Sequence, residues 1–484
     1  LIKFVFDYDK SKNMGSVQSE YLDNLREHFS VEDPIAGIKK MRYGGFMPTR
    51  IYAITQSGRF KLGMFSEIAN YIRSLNIPYK MVVTEPLKTQ YFCNYNIKSI
   101  KKLSYDLRDY QETAVIKGLK QGNGVIVSAT ASGKTYIIAT LVETIRQNSH
   151  KKHTTVILVP GIQLVEQTYK DFLEYGINRN IITKWSGNNK LNPTAKIIIA
   201  NISILQSKKS DISILSTCDL FIADEVHKFR QGNSVNKLLK LVKTKNRYGF
   251  SGTMPENKID QWNIVGLFGP ILMSKSSNEL QKEDYIATSK VQVIKIKYKD
   301  PLVYKTTATI LDPTARYNEE LDYIYDNEYR NGIITKLSER VDKNILILVD
   351  RIKHGEELTR VIKTCTKCKS VYFIRGQVDV EDREKIRSIM ETEDNIVCVA
   401  ISSIFSTGIN IKNLHYILFA CAGKAKIKII QSIGRGLRLH ENKDMLTIFD
   451  VADVLEYSNK HLYKRLLLYK KEKINYAIKE IVEK

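Results

Sequence analysis

A chain of 484 residues has room for about three domains, each able to bury its own core. Its 43% hydrophobic and 26% charged content excludes a disordered or fibrous chain, and no apolar run is long enough to span a bilayer. Lysine and arginine number 75 against 52 acidic residues, a formal charge of +23 that favours polyanionic partners, nucleic acid first, unless the lysines are merely a solvated surface.

Residues 1–100 mix short strands and helices and read as a small α+β module. Within it, RYGGFMPTRIYAI places Arg42, Tyr43 and Arg50 around a Gly-Gly turn. Such a basic, aromatic hairpin is a candidate to hold a phosphate backbone and stack on bases; an ordinary surface hairpin fits the same composition. From Leu103 to Val451 the rhythm changes to short apolar runs alternating with amphipathic helices, the pattern of parallel α/β sheets. Strands are expected at 125–128, 155–159, 196–200, 220–223 and 248–251, then at 345–349, 371–374, 396–401, 415–419 and 446–449. Between the series stand the alternating VQVIKIKY and a charged, Tyr-rich, helical stretch, so a boundary is placed near 280. The last residues, HLYKRLLLYKKEKINYAIKEIVEK, are expected to form a terminal helix with a basic outer face.

Six cysteines are too few for a disulfide framework in a chain of this size, and a reducing cytoplasm is the expected location. Cys365 and Cys368 form one C-x-x-C without a second pair at zinc spacing. No signal peptide opens the sequence, and since it begins at Leu1 at least an initiator residue is expected to precede it.

The chemistry concentrates in three stretches. VIVSATASGKT ends on Gly133, Lys134 and Thr135, as a phosphate-binding loop does, although Ser128 stands where the usual first glycine would be. Apolar runs on both sides supply the strand, loop and helix that such a loop needs. Thr130, Ser132 and Gly133 are candidates to turn backbone N–H groups onto phosphate, Lys134 to reach the β and γ oxygens, and Thr135 to hold Mg²⁺. LFIADEVHKF places Asp224 and Glu225 after an apolar strand, one carboxylate for the metal and one to activate water. QSIGRGLRLH puts Gln431, Arg435 and Arg438 on one predicted helix, the two arginines three apart and so on one face, suited to charge developing on a γ-phosphate.

In this order the motifs resemble those of superfamily 2 helicases and translocases over residues 103–451. The resemblance implies two tandem RecA-like parallel-sheet lobes, 101–280 and 281–484, behind the 1–100 DNA-binding module, with ATP and Mg²⁺ between the lobes. LRDYQ is similar to the adenine-reading segment, so Arg108 and Gln111 would contact the base. VPGIQLVEQ, with Gly161 and Gln163, resembles motif Ia, and NISILQ, with Gln206, resembles motif Ib. SGTM is similar to motif III with Gly252 in place of alanine. IFSTGINI resembles motif V, with Ser406 and Thr407 on nucleic acid and Gly408 on the nucleotide, and QSIGRGLR resembles motif VI.

RYGGFMPTRIYAI, SGTM, RGQVDVEDRE, FSTGINIKNLHYILFA and QSIGRGLRLH together are similar to the phage UvsW type of branch-migrating helicases. That similarity implies a monomeric motor in the host cytoplasm acting on forks, Holliday junctions, D-loops and RNA–DNA hybrids, without a membrane partner. The motor motifs alone equally suit a DExH RNA helicase. A restriction-system translocase and a binding protein with a degenerate ATP site are the further alternatives, the last encouraged by Ser128.

Overall fold

The computed structural model describes the chain except residues 34–35, 37–48, 93–98, 150–152, 188, 190, 208–211, 230–233, 300–311, 367–368, 376–379, 403–410, 412, 422–444 and 484. Contacts group residues 1–128 and 133–274 into one unit and residues 275–484, with 129–132, into another.

The chain opens with Ile2–Asp9 (β1), whose alternate residues Phe4 and Phe6 are buried. It pairs antiparallel with Met14–Gln18 (β2) and parallel with a later strand, Tyr79–Val83. Ser30–Glu32 (β3) and Arg50–Tyr52 (β4) form a separate two-stranded ribbon, while Arg59–Phe60 (β5) and Tyr79–Val83 (β6) complete a sheet of order β5-β2-β1-β6. The helix Phe65–Ser74 buries Phe65, Ile68, Ala69 and Ile72 against this sheet's core.

Lobe 1 is a seven-stranded parallel sheet: Asn123–Ser128 (β7), Thr155–Val159 (β8), Ile182–Trp185 (β9), Ile197–Asn201 (β10), Leu220–Ala223 (β11), Arg247–Ser251 (β12) and Ile271–Lys275 (β13). The spatial order is β13-β7-β12-β11-β8-β10-β9. The middles of its inner strands are apolar on both faces because helices cover both sides of a parallel sheet, and two core clusters lie one on each side. The N-terminal residues share a core with this lobe, because Val265 of the helix Lys258–Phe268 is buried in the cluster built from Phe4, Phe29 and Phe65. The junction is hydrogen-bonded as well: Asn123 Nδ2 donates to the Tyr91 carbonyl at 2.6 Å, and Lys245 Nζ to those of Thr89 and Phe92 at 2.8 and 3.2 Å.

Residues 275–484 carry a second seven-stranded parallel sheet: Thr288–Lys297 (β14), Ile345–Val349 (β15), Ser370–Ile374 (β16), Ile396–Ile401 (β17), Tyr416–Phe419 (β18), Met445–Asp453 (β19) and Asn475–Val482 (β20). The order is β16-β17-β15-β18-β19-β14-β20. Two RecA-like lobes behind a small α+β segment are thus the architecture.

The C-terminal expectation is corrected. The helix Glu456–Lys471 ends there, Lys473 turns the chain at φ 55°, and β20 then adds to the sheet edge parallel to β14, Val291 opposite Tyr476. Helical spacing runs out after Lys471, and NYAIKEIV instead alternates with β-branched residues, as a strand does. The expected C-x-x-C is half visible: Cys365 is exposed, and Cys368 lies outside the described residues.

Candidate functional site

The phosphate loop is shaped by its backbone. β7 is buried along its whole length and ends at Ser128; Ala131 then takes φ 69° and Gly133 φ 77° before the helix Lys134–Gln147 begins. Left-handed residues in a short loop turn successive N–H groups to one side and make an anion-binding concavity at a helix N-terminus. Ala131 pays steric strain for this conformation, a cost typical of functional sites. Lys134 Nζ donates to the Ser128 carbonyl at 3.1 Å, so the ammonium reaches back over the loop. The Ser128 hydroxyl is buried with no hydrogen-bond partner among the described residues. The loop carries that desolvation cost where the usual glycine is replaced, and its left-handed turns at Ala131 and Gly133 keep a shape that fits a polyphosphate.

Gln111 packs against the same loop from the helix Asp109–Gln121. Its Oε1 accepts from the Arg108 backbone N–H at 3.0 Å at the start of the helix Asp109–Gln121, and a Cβ on Gly133 would come within 2.5 Å of its Nε2. The Arg108 guanidinium donates to the Tyr110 hydroxyl at 3.3 Å. The adenine-reading candidates thus sit beside the phosphate loop.

Asp224 follows β11, and Glu225 takes φ 55° with its N–H donating to Asp224 Oδ1 at 2.8 Å. Burial and the adjacent Glu225 push the Asp224 carboxyl upward. Burial alone would raise Glu225 too, but His227 and the Lys134 ammonium hold it down. The two adjacent carboxylates are thus set apart, Glu225 held ionised and Asp224 made costly to ionise, a perturbed pair of the kind that marks a candidate site.

Sequence reasoning left His227 out. Its Nδ1 lies 3.1 Å from Glu225 Oε2 and 3.0 Å from Ser251 Oγ, and Ser251 Oγ in turn donates to the Thr253 carbonyl at 2.7 Å. One buried imidazole therefore joins the acidic segment to SGTM. The signal was the histidine of D-E-V-H itself, but its partner lies 24 residues away on β12.

The motif Ia and Ib candidates stand at the same sheet edge. β8 and β10 are adjacent and in register, Val159 opposite Asn201. Gly161 precedes the helix Ile162–Glu174, with Gln163 partly exposed in its first turn. Asn201 Oδ1 accepts from the Ser203 and Ile204 N–H groups at 2.5 and 3.2 Å, starting the short helix that ends at the exposed Gln206. Arg50 lies elsewhere, on β4, paired with Glu27 at 3.1 Å and donating to Ser30 Oγ at 2.9 Å. Arg42, Tyr43, Ser406, Thr407, Gly408, Gln431, Arg435 and Arg438 lie outside the described residues.

The family model of the type III restriction enzyme res subunit matches residues 104–256, and that of the helicase conserved C-terminal domain matches residues 329–440. Two RecA-like lobes, a phosphate loop and paired acids at a sheet edge, with both halves of a helicase motor matched, define an ATP-dependent helicase. Within that class the chain resembles the phage UvsW type: it is 28% identical over 397 residues to the ATP-dependent DNA helicase uvsW of Enterobacteria phage T4, covering 77% of this chain and 76% of that protein. Two solved structures share the fold. The ATP-dependent type ISP restriction-modification enzyme LlaBIII bound to DNA has TM-score 0.57 at 15% identity, over 86% of this chain and 34% of that one. The DUF1998 helicase MrfA bound to DNA has TM-score 0.55 at 17% identity, over 77% and 52%. Among the described residues no helix is long and apolar enough to cross a membrane.

Proposed function

We propose that this chain is a monomeric DNA motor that uses ATP hydrolysis to move the branch point of forks, Holliday junctions or D-loops. The carrying observation is that one parallel sheet presents, at its C-terminal edge, both the phosphate loop with its acidic pair and, two and three strands away from the loop's neighbour β12, the motif Ia and Ib segments. Ligands of open α/β sheets bind at that edge. DNA as the polymer is supported by the net charge of +23, by the printed activity of the phage T4 relative, and by DNA in both solved structures named above.

Lys134 holds the β and γ phosphates, Thr130, Ser132 and Gly133 cradle them through the backbone, and Arg108 and Gln111 hold the base. Thr135 and Asp224 would hold Mg²⁺, which when bound neutralises charge on the phosphate oxygens. Glu225, kept ionised by His227 and Lys134, orients and polarises the attacking water. Arg435 and Arg438, with Gln431, meet the charge that spreads over the γ-phosphate. Gly161, Gln163, Gln206, Ser406 and Thr407 hold DNA phosphates without reading bases, and Arg42, Tyr43 and Arg50 grip the arms of the junction. For a phage-encoded chain, the host cytoplasm, where the DNA is, is the location that goes with this reading.

ATP turnover is measured with no polymer, single strand, linear duplex, a four-way junction and structured RNA at one salt concentration. Greatest stimulation by the junction is expected. Greatest stimulation by structured RNA would replace this function with that of a DExH RNA helicase, and no turnover on any substrate would mean a degenerate ATP site.

A further inference from the structure

The N-terminal segment reaches the acidic turn of lobe 1 through a short, specific chain of hydrogen bonds. Lys61 immediately precedes the single helical turn Leu62–Met64, which packs backbone to backbone on the helix Lys258–Phe268: a Cβ on Gly63 would overlap the Val265 carbonyl, and one on Gly266 would meet Lys61 Cβ at 2.7 Å. This close approach feeds the Lys61 side chain into the junction, where its Nζ donates to Asn263 Oδ1. Asn263 is 3% exposed, and its Nδ2 donates to the Phe229 carbonyl at 2.7 Å. Phe229 closes the acidic turn, since its N–H donates to the Val226 carbonyl at 2.9 Å and that of Lys228 to the Glu225 carbonyl at 3.0 Å.

The chemistry of the pair fixes a direction. An ammonium only donates, so Lys61 requires Asn263 to present its oxygen, and the amide's NH₂ must then face Phe229. Asn236 pairs with the same amide, its Nδ2 donating to Asn263 Oδ1 and its Oδ1 accepting from Asn263 Nδ2, both at 3.4 Å, so loss of the cation removes the short partner of that oxygen and loosens the amide from the Phe229 carbonyl rather than reversing it. Glu225, at φ 55°, sits at the other end of the same turn, in a conformation that a non-glycine residue keeps only when its surroundings hold it.

We propose that Lys61 is a positioning residue for hydrolysis, acting through Asn263 and the Phe229 carbonyl to hold the turn that carries Glu225. The proposal rests on Glu225 being the water-activating carboxylate. It makes the seating of the N-terminal segment a condition for turnover.

The decisive variant in the full chain is Asn263→Asp, which keeps an oxygen for Lys61 and removes the donor to Phe229; Lys61→Met, which removes the cation and keeps the stem, is measured beside it. Basal ATP turnover should show kcat lowered about ten-fold in Asn263→Asp with KM for ATP within about two-fold, as expected for misplacement of one group at the reacting centre. Asn263→Asp sets a carboxylate oxygen against the Phe229 carbonyl and should lower the melting temperature, so turnover is read at a temperature where the variant is fully folded, and a KM held within about two-fold while kcat falls separates a positioning role from a merely structural one. A folded Asn263→Asp protein with wild-type kcat overturns the proposal, even if Lys61→Met fails to fold. If Glu225→Gln itself turns over normally, the assignment of Glu225 fails and the proposal with it, an outcome distinct from a wild-type kcat in Asn263→Asp alone.

Discussion

Gly133 carries the tightest constraint in the phosphate loop, because its φ of 77° and the Gln111 amide both exclude a side chain. Gly133→Ala should cost about 1–3 kcal/mol of local strain and displace Gln111. Nucleotide affinity, read by titration with a fluorescent ATP analogue, should fall by about ten-fold or more, one decade corresponding to 1.4 kcal/mol; wild-type affinity would contradict the close contact. Glu225→Gln should keep that affinity and lose turnover, since it preserves shape and removes the base. His227→Ala should reduce turnover with ATP affinity kept, because Glu225 and Ser251 lose their common partner. At this scale the sequence was most legible where function is local. Gly133, Lys134 and Thr135 are consecutive, and Asp224 and Glu225 adjoin, so spacing alone marks them. The contact of Gln111 with Gly133, and that of Lys61 with Asn263, join residues far apart in the chain, and only the fold brings them together.

Among the elements, β19 joins two buried ion pairs. Arg330 Nε donates to Asp453 Oδ1 at 2.9 Å and Arg465 Nε to Asp450 Oδ2 at 2.9 Å, all four side chains almost wholly buried. Arg330 also donates to the Ala420 carbonyl at 2.9 Å, fixing the end of β18. Arg330→Met alone should destabilise residues 275–484 by about 3–5 kcal/mol in urea unfolding, because Asp453 is left buried without a countercharge, the Tyr298 hydroxyl at 2.6 Å being a neutral donor. Adding Asp453→Leu should recover part of the loss, and a smaller effect of the single change would mean that water reaches the pair. His354 sits beside them, its ring stacked 4.7 Å from Tyr325. Burial, then the Arg330 charge, push its pKa down to about 3. The unfolded chain, with an ordinary histidine value, then binds the proton that the folded chain refuses, so stability falls as pH drops below about 6.5, by about 2 kcal/mol at pH 5. His354→Gln should flatten that slope in unfolding measured from pH 7 to 5. Strand reading succeeded where burial is complete, as in β8 (TVILV) and β15 (ILILV). It missed β9, β13 and β20, all at sheet edges, where polar residues interrupt the apolar run and the pattern weakens.

For the whole molecule, the described residues of the N-terminal segment, up to Phe92, are too deeply seated on lobe 1 to be treated as a detachable piece. Their removal would expose Val265 and Trp262, which belong to the shared core, so loss of DNA binding on deletion would be confounded with loss of stability. DNA binding itself should be salt-dependent, log K falling linearly with log salt as phosphate contacts release counterions. An affinity unchanged between low and physiological salt would contradict a phosphate-tracking surface. The central claim, that hydrolysis at Lys134, Asp224 and Glu225 moves a DNA branch point, is tested most directly by following the arms of a labelled four-way junction with wild-type protein and with Glu225→Gln. Junction movement by wild type in the presence of ATP, absent with a non-hydrolysable analogue and absent in Glu225→Gln, is the expected result. Movement that persists in Glu225→Gln, or a junction that stays fixed while wild type hydrolyses ATP on it, would contradict the account.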